Sequence, residues 1–135
     1  MLRFLQVIQN RAARHVTRLG WLTSTKTLLT QCGWLSVKQL VVFHSLVLVY
    51  KIKSDRKPVY LYDKLGHEFS YSTRLADANG IRQIGRTKSD LNRKSFVPRS
   101  IEQWNTLPHN IRLSMKLTDF KLKLKEWVKS NIEIA

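Results

Sequence analysis

The stretch that most limits how this chain can fold is residues 37–53. Within it Leu40-Val41-Val42-Phe43 and Leu46-Val47-Leu48-Val49-Tyr50 are interrupted only by His44 and Ser45. A segment that is apolar on nearly every side is stable in water only when other elements surround it. Its β-branched content also suits a buried strand, but a run of 17 residues is long for a strand and ordinary for a helix. The expectation is a central core helix, with His44 as a hydrogen-bonded core histidine. No apolar run reaches the roughly 20 residues that a membrane span needs, which excludes a membrane-spanning protein.

The flanking segments read as helices that cover this one. In residues 2–19, Leu5, Ile8, Ala12, Val16 and Leu19 recur at three- and four-residue steps and predict one apolar stripe facing the core. Arg3, Arg11, Arg14 and Arg18 fall on another face, and Gly20 is the expected left-handed stop. Ser24 or Thr25 is the expected cap of a short second helix through Cys32, closed by Gly33, and Ser36 precedes the core segment. Near the other end, Pro98 suits the first turn of a helix over 98–106 that Leu107-Pro108 stops. Thr118 is the expected cap of a last helix, 118–130, with Leu117, Phe120, Leu124, Trp127 and Val128 on one face. Residues 66–95 hold three glycines and little periodicity, and read as a long loop or paired extended segments, with strand character near Ser95-Phe96-Val97.

The fold class is therefore mainly α: a small helical domain with a long irregular or short-strand segment at about 66–97. The expected organisation is a single domain or domain fragment, with a basic helical part (1–54), an irregular arm (55–97) and C-terminal helices (98–135). Trp104 and Trp127 fit apolar helix stripes, while Trp21 and Trp34 follow helix ends and are expected to plug the junctions there.

Chemistry-bearing residues are sparse. The nine acids (Asp55, Asp63, Glu68, Asp77, Asp90, Glu102, Asp119, Glu126, Glu133) stand singly, with no Asp-x-Asp pair of the kind two-metal sites use. His15, His44, His67 and His109 have no metal-ligand spacing, and the one cysteine, Cys32, builds neither a disulfide nor a multi-Cys zinc site. Glycine-rich phosphate loops and G-x-S-x-G are absent. No catalytic residue, metal ligand or cofactor is expected. One cysteine also fits a reducing, intracellular setting, nucleus or cytoplasm.

Charge is the remaining signal. The chain of 135 residues carries 24 Lys or Arg against 9 acids, a net charge of +15. Residues 1–54 contain eight cations (Arg3, Arg11, Arg14, Arg18, Lys26, Lys38, Lys51, Lys53) and no acid at all. Ordinary surfaces mix signs, so this field points to a polyanion, nucleic acid first and an anionic membrane surface second. A solvated helix face is the structural alternative. An arginine-rich, acid-free amphipathic N-terminus also matches a mitochondrial presequence, although the acid-free stretch continues far beyond the length of such a peptide.

Several segments, taken in order, resemble one family. They are Gln9-Asn10-Arg11-Ala12-Ala13-Arg14, Gly33-Trp34-Leu35-Ser36-Val37, Leu48-Val49-Tyr50-Lys51, Pro58-Val59-Tyr60-Leu61 and Tyr71-Ser72-Thr73-Arg74. Ser95-Phe96-Val97-Pro98-Arg99 then runs into Trp104-Asn105-Thr106-Leu107-Pro108-His109-Asn110-Ile111-Arg112, and Leu117-Thr118-Asp119-Phe120-Lys121-Leu122-Lys123-Leu124-Lys125 closes the series. Spread over nearly the whole chain, these pieces resemble the thumb-like and post-polymerase region of non-LTR (LINE-type, Jockey-like) retrotransposon reverse transcriptases. The most specific is W-N-x-L-P-x-x-I-R after S-F-x-x-R.

The resemblance implies a C-terminal, non-catalytic fragment or degenerate copy of an RNA-directed DNA polymerase. In that family the catalytic aspartates lie upstream, on the palm domain, in an F/Y-A-D-D type motif that this chain lacks. The zinc-knuckle cysteines of some related elements are also missing. The implied role is contact with RNA or an RNA–DNA hybrid through phosphates, with Arg3, Arg11, Arg14, Arg18, Lys26, Arg99 and Arg112 as candidates. Arg99 and Arg112 serve equally well as caps for helix carbonyls, and Asn105 as a turn former ahead of Pro108. The alternative from another class is a structural or protein-docking helical module with no nucleic-acid role.

Overall fold

The computed structural model describes residues 1–65, 79–81 and 89–134, and they are mainly α-helical, as the hydrophobic periodicities predict. In chain order the helices are α1 (Leu2–Thr17), α2 (Thr25–Cys32), α3 (Val37–Asp55), α4 (Val59–Leu65), α5 (Asp90–Lys94), α6 (Phe96–Thr106), α7 (His109–Arg112) and α8 (Leu117–Asn131). No strand occurs among the described residues. Expectations for 66–78 and 82–88, including the Tyr71-Ser72-Thr73-Arg74 segment, lie outside them.

The core segment is a helix of 19 residues, α3. Ser36 and Gln39 start it with a reciprocal capping box: Gln39 N donates to Ser36 Oγ at 3.2 Å and Ser36 N donates to Gln39 Oε1 at 3.0 Å. Val42, Leu46, Val47, Val49, Tyr50 and Ile52 are buried, each aliphatic side chain contributing about 1.5–3 kcal/mol of hydrophobic stabilisation. The helix is not covered all round, since Val41 and Leu48 remain partly exposed. His44, expected in the core, lies on that exposed side. No single described helix is long and apolar enough to cross a membrane; only α2 and α3 together, bent by 48°, reach that length and composition.

The contacts divide the chain into two compact units, residues 1–43 with 126–135, and residues 44–125. In the first unit α1 packs on α2, and Ala13, Leu28, Leu29, Leu35, Val42 and Val128 are buried. Ser24 caps α2, its Oγ accepting from Thr27 N, and Gly33 closes the helix at φ 67°, a left-handed conformation that glycine adopts without steric cost. Gln39 Nε2 donates to Ile132 O at 2.8 Å and ties the start of α3 to the end of the chain.

In the second unit Trp104, Phe120 and Tyr50 form an aromatic core. Tyr50 stacks on Phe120 with ring centroids 4.4 Å apart, and Trp104 lies tilted against the same ring at 5.8 Å. Polar atoms on these rings are satisfied as burial requires. Trp104 Nε1 donates to Asn79 O at 2.7 Å and Tyr50 Oη donates to Ser114 O at 2.9 Å. The predicted stripe of the last helix holds: Phe120, Leu124 and Val128 are fully buried, while Leu117 and Trp127 are half-buried.

Several local expectations are corrected. Ser95-Phe96-Val97 is not a strand: Ser95 is extended at φ −65°, ψ 164° and serves as the cap position of α6, which begins at Phe96, so that Pro98 still falls in its first turn. Leu107 ends that helix as predicted. Thr118 lies inside α8, one residue after its start, rather than capping it. Trp21 is 79% exposed and plugs no junction, whereas Trp34 is 38% exposed and most of its surface is covered. Asn105 does not form the turn at Pro108. Its side chain brackets Ile81, accepting from Ile81 N at 2.9 Å and donating to Ile81 O at 2.8 Å, which pairs a buried backbone segment in the manner of a strand.

Truncating Phe120 to Ala removes the ring that contacts both Tyr50 and Trp104, and should cost about 3–5 kcal/mol in urea unfolding. Leu122→Ala, two residues along the same helix but exposed, should change stability by less than about 0.5 kcal/mol. Equal losses would contradict the assigned face of α8.

Candidate nucleic-acid interface

The orientation of α1 is set by amides rather than by its apolar stripe. Gln9 Nε2 donates to Leu35 O at 2.8 Å and Gln6 Oε1 accepts from Val37 N at 2.9 Å, so two glutamines grip the short linker between α2 and α3. Asn10 Nδ2 donates to Thr25 Oγ1 at 2.8 Å, and Gln6 Nε2 donates to both Gln9 Oε1 and Asn10 Oδ1, which holds the three amides in register. The Val37 amide at the first turn of α3 has no partner within its own helix, so Gln6 supplies an acceptor that α3 needs.

At 100° per residue, Gln6, Gln9, Asn10, Ala13 and Thr17 fall within an inward arc of about 100°. The small Ala13, fully buried, lets α1 approach closely. This overturns the expected orientation. Leu5, Ile8, Ala12 and Val16 face solvent, Val16 being 65% exposed, and Leu19 is half-buried. The outermost ridge is Phe4, Ile8, Arg11 and His15, apolar over the first half of the helix and basic over the second.

The arginines follow from the same geometry. Arg3, Arg11 and Arg14, which lie within the helix, share an arc of about 80°, and Arg18 follows at its C-cap. Arg3, Arg11 and Arg18 are exposed, as is Lys26 in the first turn of α2. Arg14 borders the inward arc and is half-buried, its Nε enclosed with no hydrogen-bond acceptor. Cations at the C-terminal end of a helix also complement its dipole.

Arg18, and not Gly20, ends α1. It adopts the left-handed conformation at φ 55°, and its amide donates to Arg14 O at 2.8 Å. A non-glycine residue there carries about 1 kcal/mol of backbone strain. The strained residue is thus an exposed cation at the end of the helix that carries Arg11 and Arg14.

Arg99 and Arg112 lie in the second unit and do not behave as surface contacts. Arg99 is half-buried and its Nε has no partner. Arg112 is only 7% exposed, and its Nε and Nη1 are likewise enclosed without an acceptor, so neither arginine caps helix carbonyls through those atoms. Burial pulls the Arg112 guanidinium below its ordinary pKa by desolvation. Sequence reasoning missed Lys53 and Asn79. The Lys53 ammonium lies 5.4 Å from the centre of the Trp104 ring and donates to Asn79 O at 3.2 Å. Asn79, itself left-handed at φ 56°, donates through Nδ2 to Arg112 O at 3.1 Å. The Asn79-Gly80 dipeptide, a turn signal, was the one hint of this in the chain.

No group of three His, Cys, Asp or Glu side chains that could hold a metal occurs among the described residues. Arginine guanidinia held at fixed spacing on an acid-free face can form forked, charge-assisted bonds to phosphate oxygens, which is positioning chemistry.

Gln9→Ala strips the Leu35 carbonyl of its donor and should cost about 1–3 kcal/mol in chemical unfolding. Ile8→Gln, on the outward ridge, should stay within about 0.5 kcal/mol. The reverse order of effects would restore an inward apolar stripe.

Against known proteins, no family model, no curated protein and no solved structure matches this chain.

Proposed function

We propose that the chain is a C-terminal, non-catalytic part of a retrotransposon reverse transcriptase that grips the backbone of RNA or an RNA–DNA hybrid, with Arg11 and Arg18 of α1 as principal contacts and Arg3, Arg14 and Lys26 beside them. The observation that carries this reading is the exposed basic end of α1. Arg11 and Arg18 face solvent in a unit whose seven Lys and Arg meet only two acids, Glu126 and Glu133. The strained Arg18 adds support, because a cation stands where glycine would be more comfortable. The resemblance to the post-polymerase region of non-LTR elements supplies the polyanion: template or product strand. In the parent polymerase the palm domain would be the neighbouring partner. Contacts of this kind read phosphates and carry little sequence specificity. The chain itself is proposed to have no enzymatic activity, and an intracellular setting follows from the same reading.

A protein-docking role is the second reading. The outward Phe4 and Ile8, with Phe4 69% exposed, favour it, since apolar side chains gathered on one helix face mark contact surfaces. The two readings differ in which half of α1 they use, and in salt. Phosphate binding weakens steeply with salt, whereas apolar docking does not.

Binding of a short RNA or RNA–DNA hybrid should show a strongly negative slope of log affinity against log salt. Arg11→Glu with Arg18→Glu should lower affinity at least tenfold and flatten that slope by about 1.5, the release expected for two phosphate contacts. Arg18→Gly should bind less tightly while unfolding at higher denaturant, because it relieves the left-handed strain. Phe4→Ser with Ile8→Ser should leave RNA affinity unchanged. Loss of binding in the serine variant with none in the glutamate variant would transfer the role to the apolar half.

A further inference from the structure

We infer that Trp21 is a stacking platform for an unpaired nucleobase, so that the nucleic acid held by the first unit is single-stranded where it meets the turn between α1 and α2. The inference rests on the phosphate-contact reading of α1 and adds to it a contact with a base.

Trp21 and Leu22 stand at the two central positions of a β-turn, which the Thr23 amide closes by donating to Gly20 O at 3.1 Å. Such positions favour Gly, Pro, Asn, Asp and Ser, each for its own backbone or hydrogen-bonding reason. Here they hold the bulkiest apolar side chain and a leucine, 79% and 80% exposed. The Trp21 side chain enters no ring stack, cation–π pair or hydrogen bond among the described residues. Both flanks of the turn are braced. On one side the Arg18 amide donates to Arg14 O at 2.8 Å. On the other, Ser24 caps α2, and Asn10 Nδ2 fastens the start of that helix to α1 through Thr25 Oγ1 at 2.8 Å. A Cβ built on Gly20 would meet nothing within 4 Å, so the ground beside the turn is open. A rigid ring with two torsions, displayed on a fixed turn, loses little freedom when a partner stacks on it.

An exposed indole accepts any flat or apolar partner, so its surroundings select the class. Arg18 precedes Trp21 by three residues and Lys26 follows it by five, and both are exposed. No acid occurs in residues 1–54. An aromatic ring set among cations is the combination that binds single strands, whose phosphates meet the cations while a base stacks on the ring. A base inside a duplex is already stacked on its neighbours and is closed to such a ring. A lipid-inserting tip would continue the apolar surface. Around this one lie Gly20, Thr23, Ser24 and Thr25, Leu19 is half-buried, and only Leu22 extends the apolar area. Because every base has a π-face, the contact discriminates strandedness rather than sequence.

The test compares the affinity of the full chain for a short single-stranded oligoribonucleotide, for the same strand paired into a blunt RNA–DNA hybrid, and for inorganic polyphosphate. Trp21→Ala should bind the single strand about tenfold less tightly, the contribution of one stacked base. Its salt slope should equal that of the wild type and its affinity for polyphosphate should be unchanged, because no phosphate contact is lost. Trp21→Phe, which keeps a ring, should retain most of the affinity. The unfolding midpoint of Trp21→Ala should match the wild type, since the side chain is exposed. Equal single-strand affinity of wild type and Trp21→Ala, with the salt slope intact, would overturn the stacking site and leave the phosphate reading standing. No wild-type binding to any of the three probes at low salt would overturn both. An equal loss on the hybrid or on polyphosphate would also contradict the inference, since neither probe offers an unpaired base. Vesicles of phosphatidylcholine with phosphatidylserine complete the set: binding to them that depends on Trp21, with RNA affinity that does not, would assign the turn to a lipid surface instead.

Discussion

Everything proposed for the first unit depends on the hold that Gln6 and Gln9 take on the linker before α3. Those two side chains meet Val37 N, a donor that the start of α3 leaves without a helical partner, and Leu35 O, a carbonyl of the linker. Apolar residues packed at the same place would leave both groups unpaired, at about 1–3 kcal/mol each. The amide face therefore goes inward and Ala13 fits beneath it, although the opposite face is the more hydrophobic. The aliphatic stripe is turned to solvent, and the arginine sector is swung to the border and outer side of the helix. A reversal of helix orientation by local hydrogen-bond demand thus decides what α1 offers to a partner.

The second unit is organised differently. Its centre is aromatic, and its polar connections converge on Asn79, which takes the Trp104 indole and the Lys53 ammonium on its carbonyl and gives its side-chain amide to Arg112. Trp104 and Asn105 of the W-N-x-L-P-x-x-I-R motif each serve the 79–81 segment, one through Asn79 and the other through Ile81. Ile111 of the same motif is buried and Arg112 is enclosed. The motif thus reads physically as a device that fixes a short backbone segment against α6, with the Arg112 side chain enclosed beside it.

Much of the helical architecture was legible in the chain, for reasons specific to each element. The core helix announced itself because no amphipathic arrangement could place so many apolar residues in water. Phe120, Leu124 and Val128 declared the inner face of α8 because nothing polar competes for it. Gly33 and Leu107-Pro108 marked helix ends through backbone stereochemistry alone. The face of α1 was not legible, because periodicity weighs side-chain hydrophobicity and does not see the unpaired amide and carbonyl 26 to 31 residues away in sequence that Gln9 and Gln6 satisfy. Arg18 hid the end of the same helix, since a glycine two residues later is the ordinary left-handed residue. Arg112 read as a surface cation because its burial depends on long-range packing and leaves no local trace.

Reaction of the chain with an arginine-specific dicarbonyl, with and without bound RNA and read peptide by peptide by mass spectrometry, tests the central claim most directly. The account predicts that Arg11 and Arg18 are modified rapidly in the free chain and protected by RNA, while Arg112 resists modification in both states. Slow modification of Arg11 and Arg18 in the free chain, or equal modification with RNA bound, would contradict it.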